Sequence, residues 1–452
     1  MQGPVGGGEA QSENPIPRIV VGIQNGNETG SFFAGPGFSR TSNDLLTEIT
    51  QGKVKATLQA GDHTLTVGGE LNSLHVFNLF GQNTTGTLTF ANIADLRAGL
   101  LSGGTNTNPN ADAILAGEGA GAYGNFTASG NIRDAAVSWT RAIYTAYAQD
   151  DWQVTPQLDV LAGVRVDWFD GDAPATNANF INRYGFTNAV SFSNFDPLVL
   201  PRLGVTYDFD NEGFFSRTVL QGGVGIFSGG DPTVWFSNAF QNNGFALGFG
   251  STGNNALCGT GRLNVLQNGR FTGVPQCIRD SAAAQAAGGL ADTQSVDPGF
   301  ITPTVVRANL GLRTRFGTDT GFFSNWRLQL DYIYSRFRNP VTLVDMAQVV
   351  NPALGLNGYS VDGRPIYRAI DTTRTGCDAV LLGQGGSPPR YSNVTAACFG
   401  TTRDDELQLT NGRDYDAHTV SAILSKTFGR GLLTEGGSTR LNIGYAYNNA
   451  KN

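Results

Sequence analysis

The sequence predicts an all-β fold, an antiparallel up-and-down β-barrel that crosses a membrane with strands. Three observations predict it. Apolar and polar residues alternate with a period of two in segment after segment. Glycine is abundant (61 of 452 residues) while charged residues make up only 15%. Connections between the alternating segments are short and long in turn, and a meandering sheet does this when all its turns lie at one end and all its loops at the other.

The clearest segment runs from Tyr144 to Gly171. Leu158, Val160, Ala162, Val164, Val166 and Trp168 are all apolar, and Asp159, Leu161, Gly163, Arg165 and Asp167 between them are nearly all polar or small. Period two puts the first set on one face of a strand and the second on the other. The pattern lasts about eleven residues, the length a tilted strand needs to cross a bilayer. Tyr144 to Gln153 reads as the preceding strand. The reversal at Val154-Thr155-Pro156-Gln157 suits proline, whose ring presets φ and which has no amide hydrogen to leave unpaired.

From the start of the chain, Ile19 to Ile23 reads as a first strand. Val54, Ala56, Leu58 and Ala60, then Leu65, Val67, Gly69 and Leu71, form a hairpin around Gly61-Asp62, a pair suited to a tight turn. A short helix is expected at 92–100, in a segment without strand pattern. Leu203, Val205, Tyr207 and Phe209 turn through Asp210–Gly213 to Leu220, Val224 and Ile226. Val306, Ala308, Leu310, Leu312 and Phe316 return as Trp326, Leu328, Leu330, Tyr332 and Tyr334. Val420, Ala422, Leu424 and Phe428 return as Leu441, Ile443, Tyr445 and Tyr447, for about ten or eleven strands in all. Short reversals fall near 61, 155, 211, 319 and 433. Long loops are expected at about 81–137, 171–200, 229–301 and 339–412. Loops of that length are uncommon in compact soluble domains, which favours the barrel over a β-sandwich.

On this reading Arg165, Asp167, Arg307, Arg313, Arg315 and Asp331 face the barrel lumen. Trp152, Trp168, Trp326, Tyr332 and Tyr334 belong to the aromatic girdles at the membrane interfaces. Cys258 with Cys277 and Cys377 with Cys398 fall as two local pairs. They suit two loop-closing disulfides in an oxidising compartment, with four free thiols as the alternative.

No run reaches the roughly 18 apolar residues of a membrane helix. A formal charge of −7 argues against nucleic acid as a partner. The N-terminal MQGPVGGGEAQSENP lacks a basic segment followed by an apolar one, so no secretion signal is expected there. No cofactor or metal site is expected either. His63, His75 and His418 are scattered without carboxylates at ligand spacing, and Asp150 and Asp151, as strand neighbours, point to opposite faces. Gly222-Gly223-Val224-Gly225 is not followed by the Gly-Lys-Ser/Thr of a phosphate loop. No catalytic constellation is visible, and the chain is not expected to be an enzyme.

The same residues resemble the barrel of TonB-dependent outer-membrane receptors. Ala146–Asp170 (AYAQDDWQVTPQLDVLAGVRVDWFD) is similar to that family's aYaQDdW…L.l..GlRyD hairpin, and Gly61–Phe80 to its kH.ltfGgE strand. Gly222–Gly244 (GGVGIFSGGDPTVWFSNAFQNNG) resembles the Oar-like subgroup. The resemblance implies a cell outer membrane location in a Gram-negative bacterium, with lipid around the barrel. It also implies TonB-coupled uptake of a large scarce solute such as a metal chelate, oligosaccharide or peptide, captured by the loops 229–301 and 339–412. Members carry a signal peptide, a TonB box and a plug domain ahead of a twenty-two-strand barrel, and this chain reads as a barrel segment without the plug. A passive porin or a structural or adhesive barrel is the alternative, followed by a secreted all-β binding module.

Overall fold

The computed structural model describes residues 16–39, 41–108, 110–229, 232–253, 255–383, 390–399, 405–429 and 436–451. The N-terminal segment searched for a secretion signal, and the reversal near 433, lie outside them.

Ten strands pair antiparallel in chain order to make one sheet: β1 (Ser42–Ala60), β2 (His63–Gly81), β3 (Val137–Thr155), β4 (Leu158–Gly171), β5 (Leu198–Asp208), β6 (Phe215–Ser228), β7 (Thr304–Phe316), β8 (Trp326–Arg338), β9 (Tyr415–Phe428) and β10 (Thr439–Lys451). The sheet is not closed, and β1 and β10 are its edges. The turns between β1 and β2 and between β3 and β4 take two residues each, Gly61-Asp62 and Pro156-Gln157. Gly61 has φ +62°, a conformation open to glycine at the first position of a two-residue hairpin turn. Residues 209–214 and 317–325 make two more connections at that end, where Phe428 of β9 also pairs with Thr439 of β10. At the opposite end lie the long connections 82–136, 172–197, 229–303 and 339–414.

Register shows how the two faces differ. One transverse row runs Val54, Gly69, Ala146, Val166, Val199, and another runs Leu220, Leu312, Leu330, Ala422, Tyr445. The adjacent rows on the other face run Lys53, Glu70, Thr145, Asp167, and Gln221, Gly311, Asp331, Ser421. The apolar face is bare: Val54 is 78% exposed, Ile443 54% and Tyr445 68%. In water so continuous an apolar surface would drive association, whereas hydrocarbon solvates it.

The proline at 201 lies inside β5, which begins at Leu198, ahead of the boundary expected near Pro201. The ladder from β6 reaches only Arg202, so the proline sits where one side of the strand has no partner to lose.

Every remaining element belongs to residues 16–41 or to a long connection. Arg18–Asn25 hairpins with Glu28–Ala34 and continues into a five-stranded sheet through Thr87–Phe90, Ala122–Phe126 and Gly248–Ser251. The Ile19–Ile23 run, read as a first barrel strand, therefore belongs to this second sheet. Val20 and Val21 are both buried (0% and 1% exposed), and an unbroken apolar run of this kind marks a strand covered on both faces. The region 81–137, read as lacking strands, supplies two of the five.

Among the described residues five α-helices punctuate the connections: α1 (Ile93–Ala98), α2 (Ala111–Leu115), α3 (Ala178–Tyr184), α4 (Thr233–Gln241) and α5 (Gln276–Ala287). Asn92 caps α1 by accepting from the Asp95 amide (2.9 Å), and Gly99, at φ +69°, ends it. The main hydrophobic clusters lie in this layer. Val21, Leu88, Phe90, Phe126 and Ile278 form one of them.

Candidate functional site

The polar face and the layer above it form the candidate site. On β1–β4 the polar face is a charge ladder. Glu70 accepts from Lys53 on one side (Nζ–Oε1 2.6 Å) and from Arg165 on the other (Nη1–Oε2 2.9 Å). Arg165 also donates through Nε to Asp167 (2.8 Å) and through Nη2 to Thr145 Oγ1 (2.9 Å), whose hydroxyl donates to Asp167 (2.6 Å). Acids and bases from β1, β2 and β4 thus alternate along the ladder, and Thr145 of β3 bridges its last two members.

The six polar residues singled out in the sequence all sit on this face, but not in one constellation. Arg165 and Asp167 belong to the ladder. Arg307 donates to Ser335 Oγ (3.2 Å), and Asp331 accepts from Gln329 (2.8 Å). Arg313 and Arg315 point into a hollow near the short turns.

Of the aromatic residues, Trp152 (40% exposed) sits near the short turns and Trp168 (42%) near the long connections, both on the apolar face. Trp326 is buried, because the turn 317–325 folds over it and Phe322 O accepts from its indole (3.0 Å). Tyr332 and Tyr334 share the apolar face with His418. The Tyr332 hydroxyl meets His418 Nδ1 at 2.9 Å, and the Tyr334 hydroxyl donates to Asp416 (2.8 Å).

One reading of the histidines is corrected. His63 has a carboxylate partner, Asp150, at 2.7 Å across the β2–β3 ladder, and its ring stacks on Trp152. Among the described residues no group of three or more His, Cys, Asp or Glu side chains is placed to hold a metal ion.

Toward the long connections the polar face stops being polar. Val76 of β2 and Trp139 of β3 lie on it, and both are buried. Helix α4 seats Phe236 and Phe240 there, joined by Phe192 and Phe195 from 172–197, Val296 and Phe300 from 229–303, and Leu409 from 339–414. The Trp139 indole donates to Ser237 of α4 (3.1 Å), and Arg141 lies over the Phe192 ring at 5.8 Å. Three connections thus converge on one aromatic seat that covers the end of the polar face. This seat was not anticipated. Its sequence trace is the loss of alternation in Leu74–Phe80, where both strand faces turn apolar.

Further contacts weld the layer together. Ser295–Val296 pairs parallel with Leu407–Asn411, which pairs with Val341–Asp345. Glu406, fully buried, receives Arg183 Nη1 at 2.5 Å and the Tyr184 hydroxyl, both from α3. Burial first, and Glu406 second, hold the Tyr184 hydroxyl well above its ordinary pKa. For Arg183 burial works against the charge, but Glu406, Tyr184 and Asp371 outweigh it and raise the pKa. Disulfides close Cys258 to Cys277 (Cα–Cα 5.1 Å) and Cys377 to Cys398 (4.7 Å). Beside the first is an open hollow of about 590 Å³ lined by uncharged groups, among them Ser102, Thr105, Thr252 and Asn255.

A family model described as an outer membrane beta barrel domain matches residues 2–451. The chain belongs to the outer membrane β-barrel domain family. An outer-membrane location and an apolar face set in lipid follow for this outer membrane β-barrel chain. Among solved structures it is similar to the outer membrane transporter YddB from Escherichia coli, with 10% identity, TM-score 0.43, and coverage of 96% of this chain and 37% of that one. The siderophore receptor PirA from Pseudomonas aeruginosa gives 13%, 0.38, 93% and 45%. The FrpB iron transporter from Neisseria meningitidis gives 9%, 0.37, 94% and 38%. The chain spans less than half the length of each. No curated protein matches it.

Proposed function

We propose that this chain is the barrel portion of a TonB-dependent outer-membrane receptor, Oar-like, that takes up a large scarce solute such as a metal chelate, oligosaccharide or peptide. The polar face lines the lumen, and the connections 229–301 and 339–412 contact the solute from outside. A plug domain and the inner-membrane TonB complex would complete the machine. The observation that carries this reading is the folded layer over a polar wall. An open diffusion pore needs an unobstructed mouth, yet here Trp139 and Phe240 seal the polar face to the layer from three connections. Loops held on a rigid scaffold are where recognition is built. The uncharged hollow beside Cys258 offers hydroxyl and amide groups suited to a neutral polar solute.

The test is accumulation of labelled ferric chelates, oligosaccharides and peptides by cells of the native host, with and without the gene, in the presence and absence of a protonophore. A receptor predicts that one solute class depends on the gene and that the protonophore abolishes its accumulation. Gene-dependent entry that ignores the protonophore would instead establish a passive porin. No gene dependence for any solute would leave a structural or adhesive barrel.

A further inference from the structure

Five guanidinium groups gather at the short-turn end of the polar face. Arg313 and Arg315 project from β7, Arg327 stands directly across from Arg315 on β8, and Arg440 is the second residue of β10. Arg217 joins them from a bulge in β6, where its own φ is +50° and the register with β7 slips between Ser216 and Val219. All five line one open hollow of about 470 Å³.

The charge ladder on β1–β4 pairs Lys53 and Arg165 with acids. The hollow has no such pairing: among the described residues none of the five arginines makes an ion pair or a side-chain hydrogen bond. Like charges directly opposite on paired strands repel each other, and the Arg315–Arg327 pair has that arrangement. A bulge re-aims a side chain, and a bulky residue at positive φ is uncommon, so Arg217 is drawn into the same hollow at a conformational cost.

We propose that this hollow is a polyanion site, taking a solute that carries two or more phosphate or carboxylate groups. The planar fork of arginine matches such oxygens two at a time. Five cations call for more than one negative charge, and the volume suits a small molecule. Gln329 and Ser425, between the arginines, offer neutral hydrogen bonds to the rest of the ligand. Binding here is separable from transport. A lumen that holds no anion could still pass a neutral solute, and the anion site would persist in a barrel that transports nothing.

The test is calorimetric titration of the full chain, folded in zwitterionic detergent at low salt, with inorganic pyrophosphate and with citrate. One-to-one binding of either anion is expected, and the preference between them tells phosphate from carboxylate. Arg315→Gln with Arg327→Gln should weaken it at least tenfold, while Lys55→Gln, on the same face but outside the hollow, leaves it unchanged. As a second readout, pyrophosphate should raise the thermal unfolding temperature of the native chain and not that of the double variant. Absence of binding by both anions would overturn the proposal, and so would equal weakening by Lys55→Gln, the mark of diffuse electrostatics.

Discussion

Trp139 on β3 stacks against Phe240 of α4 with ring centroids 5.4 Å apart, and this contact fastens the layer of long connections to the wall of the sheet. The two residues are far apart in sequence, and neither belongs to a turn. The wall and its cover are one hydrophobic unit at that point, not a rigid scaffold carrying loose loops.

Trp139→Ala should therefore loosen the cover without dissolving the sheet. Removing a fully buried tryptophan costs about 3–5 kcal/mol, and here it also removes the hydrogen bond to Ser237. Protease should nick residues 229–303 many times faster, while heat-modifiable gel migration stays as in the native chain.

Glu406→Gln should free α3 from the connection 339–414. Breaking a buried pair leaves an uncompensated charge and costs about 3–5 kcal/mol, and Glu406 is 0% exposed. Arg183→Met combined with Glu406→Met should cost less than either change alone. Hydrogen exchange of the amides at 407–411 reads both outcomes.

Asp345 makes the same region pH-dependent. Burial is the main reason its pKa is raised to about 6, against the pull of the Ala347 and Glu406 amides that donate to it, and the nearby Asp405 and Glu406 push the same way as burial. A carboxyl with a raised folded-state pKa binds its proton more tightly when folded, so stability falls as pH rises from about 4 to about 6 and stays lower above. Protection at 341–345 and 407–411, taken relative to the intrinsic exchange rate at each pH, should be greater at pH 5 than at pH 7.5, and Asp345→Asn should flatten that difference.

Reduction should act on the cover alone. Cys258 and Cys277, 19 residues apart, pack against the cluster around Ile278, and closing a loop of that size is worth about 3 kcal/mol in chain entropy. With reductant, or with Cys258→Ser and Cys277→Ser together, residues 255–277 should become protease-sensitive while the ten strands keep their folded migration.

Much of the wall was legible because its code is local. Val54 to Ala60, Leu65 to Leu71 and Leu158 to Trp168 alternate at nearly every position, and Gly61-Asp62 and Pro156-Gln157 mark the turns beside them. The cover was not legible, since its strands are two to eight residues long and find partners far along the chain. Phe126 pairs with Gly248, and Val296 with Leu409. The partnership of His63 with Asp150 was missed for the same reason: it depends on register between strands 87 positions apart, and spacing in sequence carries no trace of that. The arginine hollow was half legible. Arg313 and Arg315 share a strand face, but Arg217 reaches it only through a bulge that breaks the period.

The parallel pairing of Ser295–Val296 with Leu407–Asn411 carries a consequence for assembly. The second partner lies just before β9, so the cover cannot finish until nearly the whole sheet has been laid down. Strands β1 to β8 precede the residues that complete the cover, so the cover closes through partners 113 positions apart. Non-local closure of this kind is slow. A chain that lacked residues 407–411 would leave the aromatic seat without Leu409, so the apolar surface it presents differs from that of the whole chain.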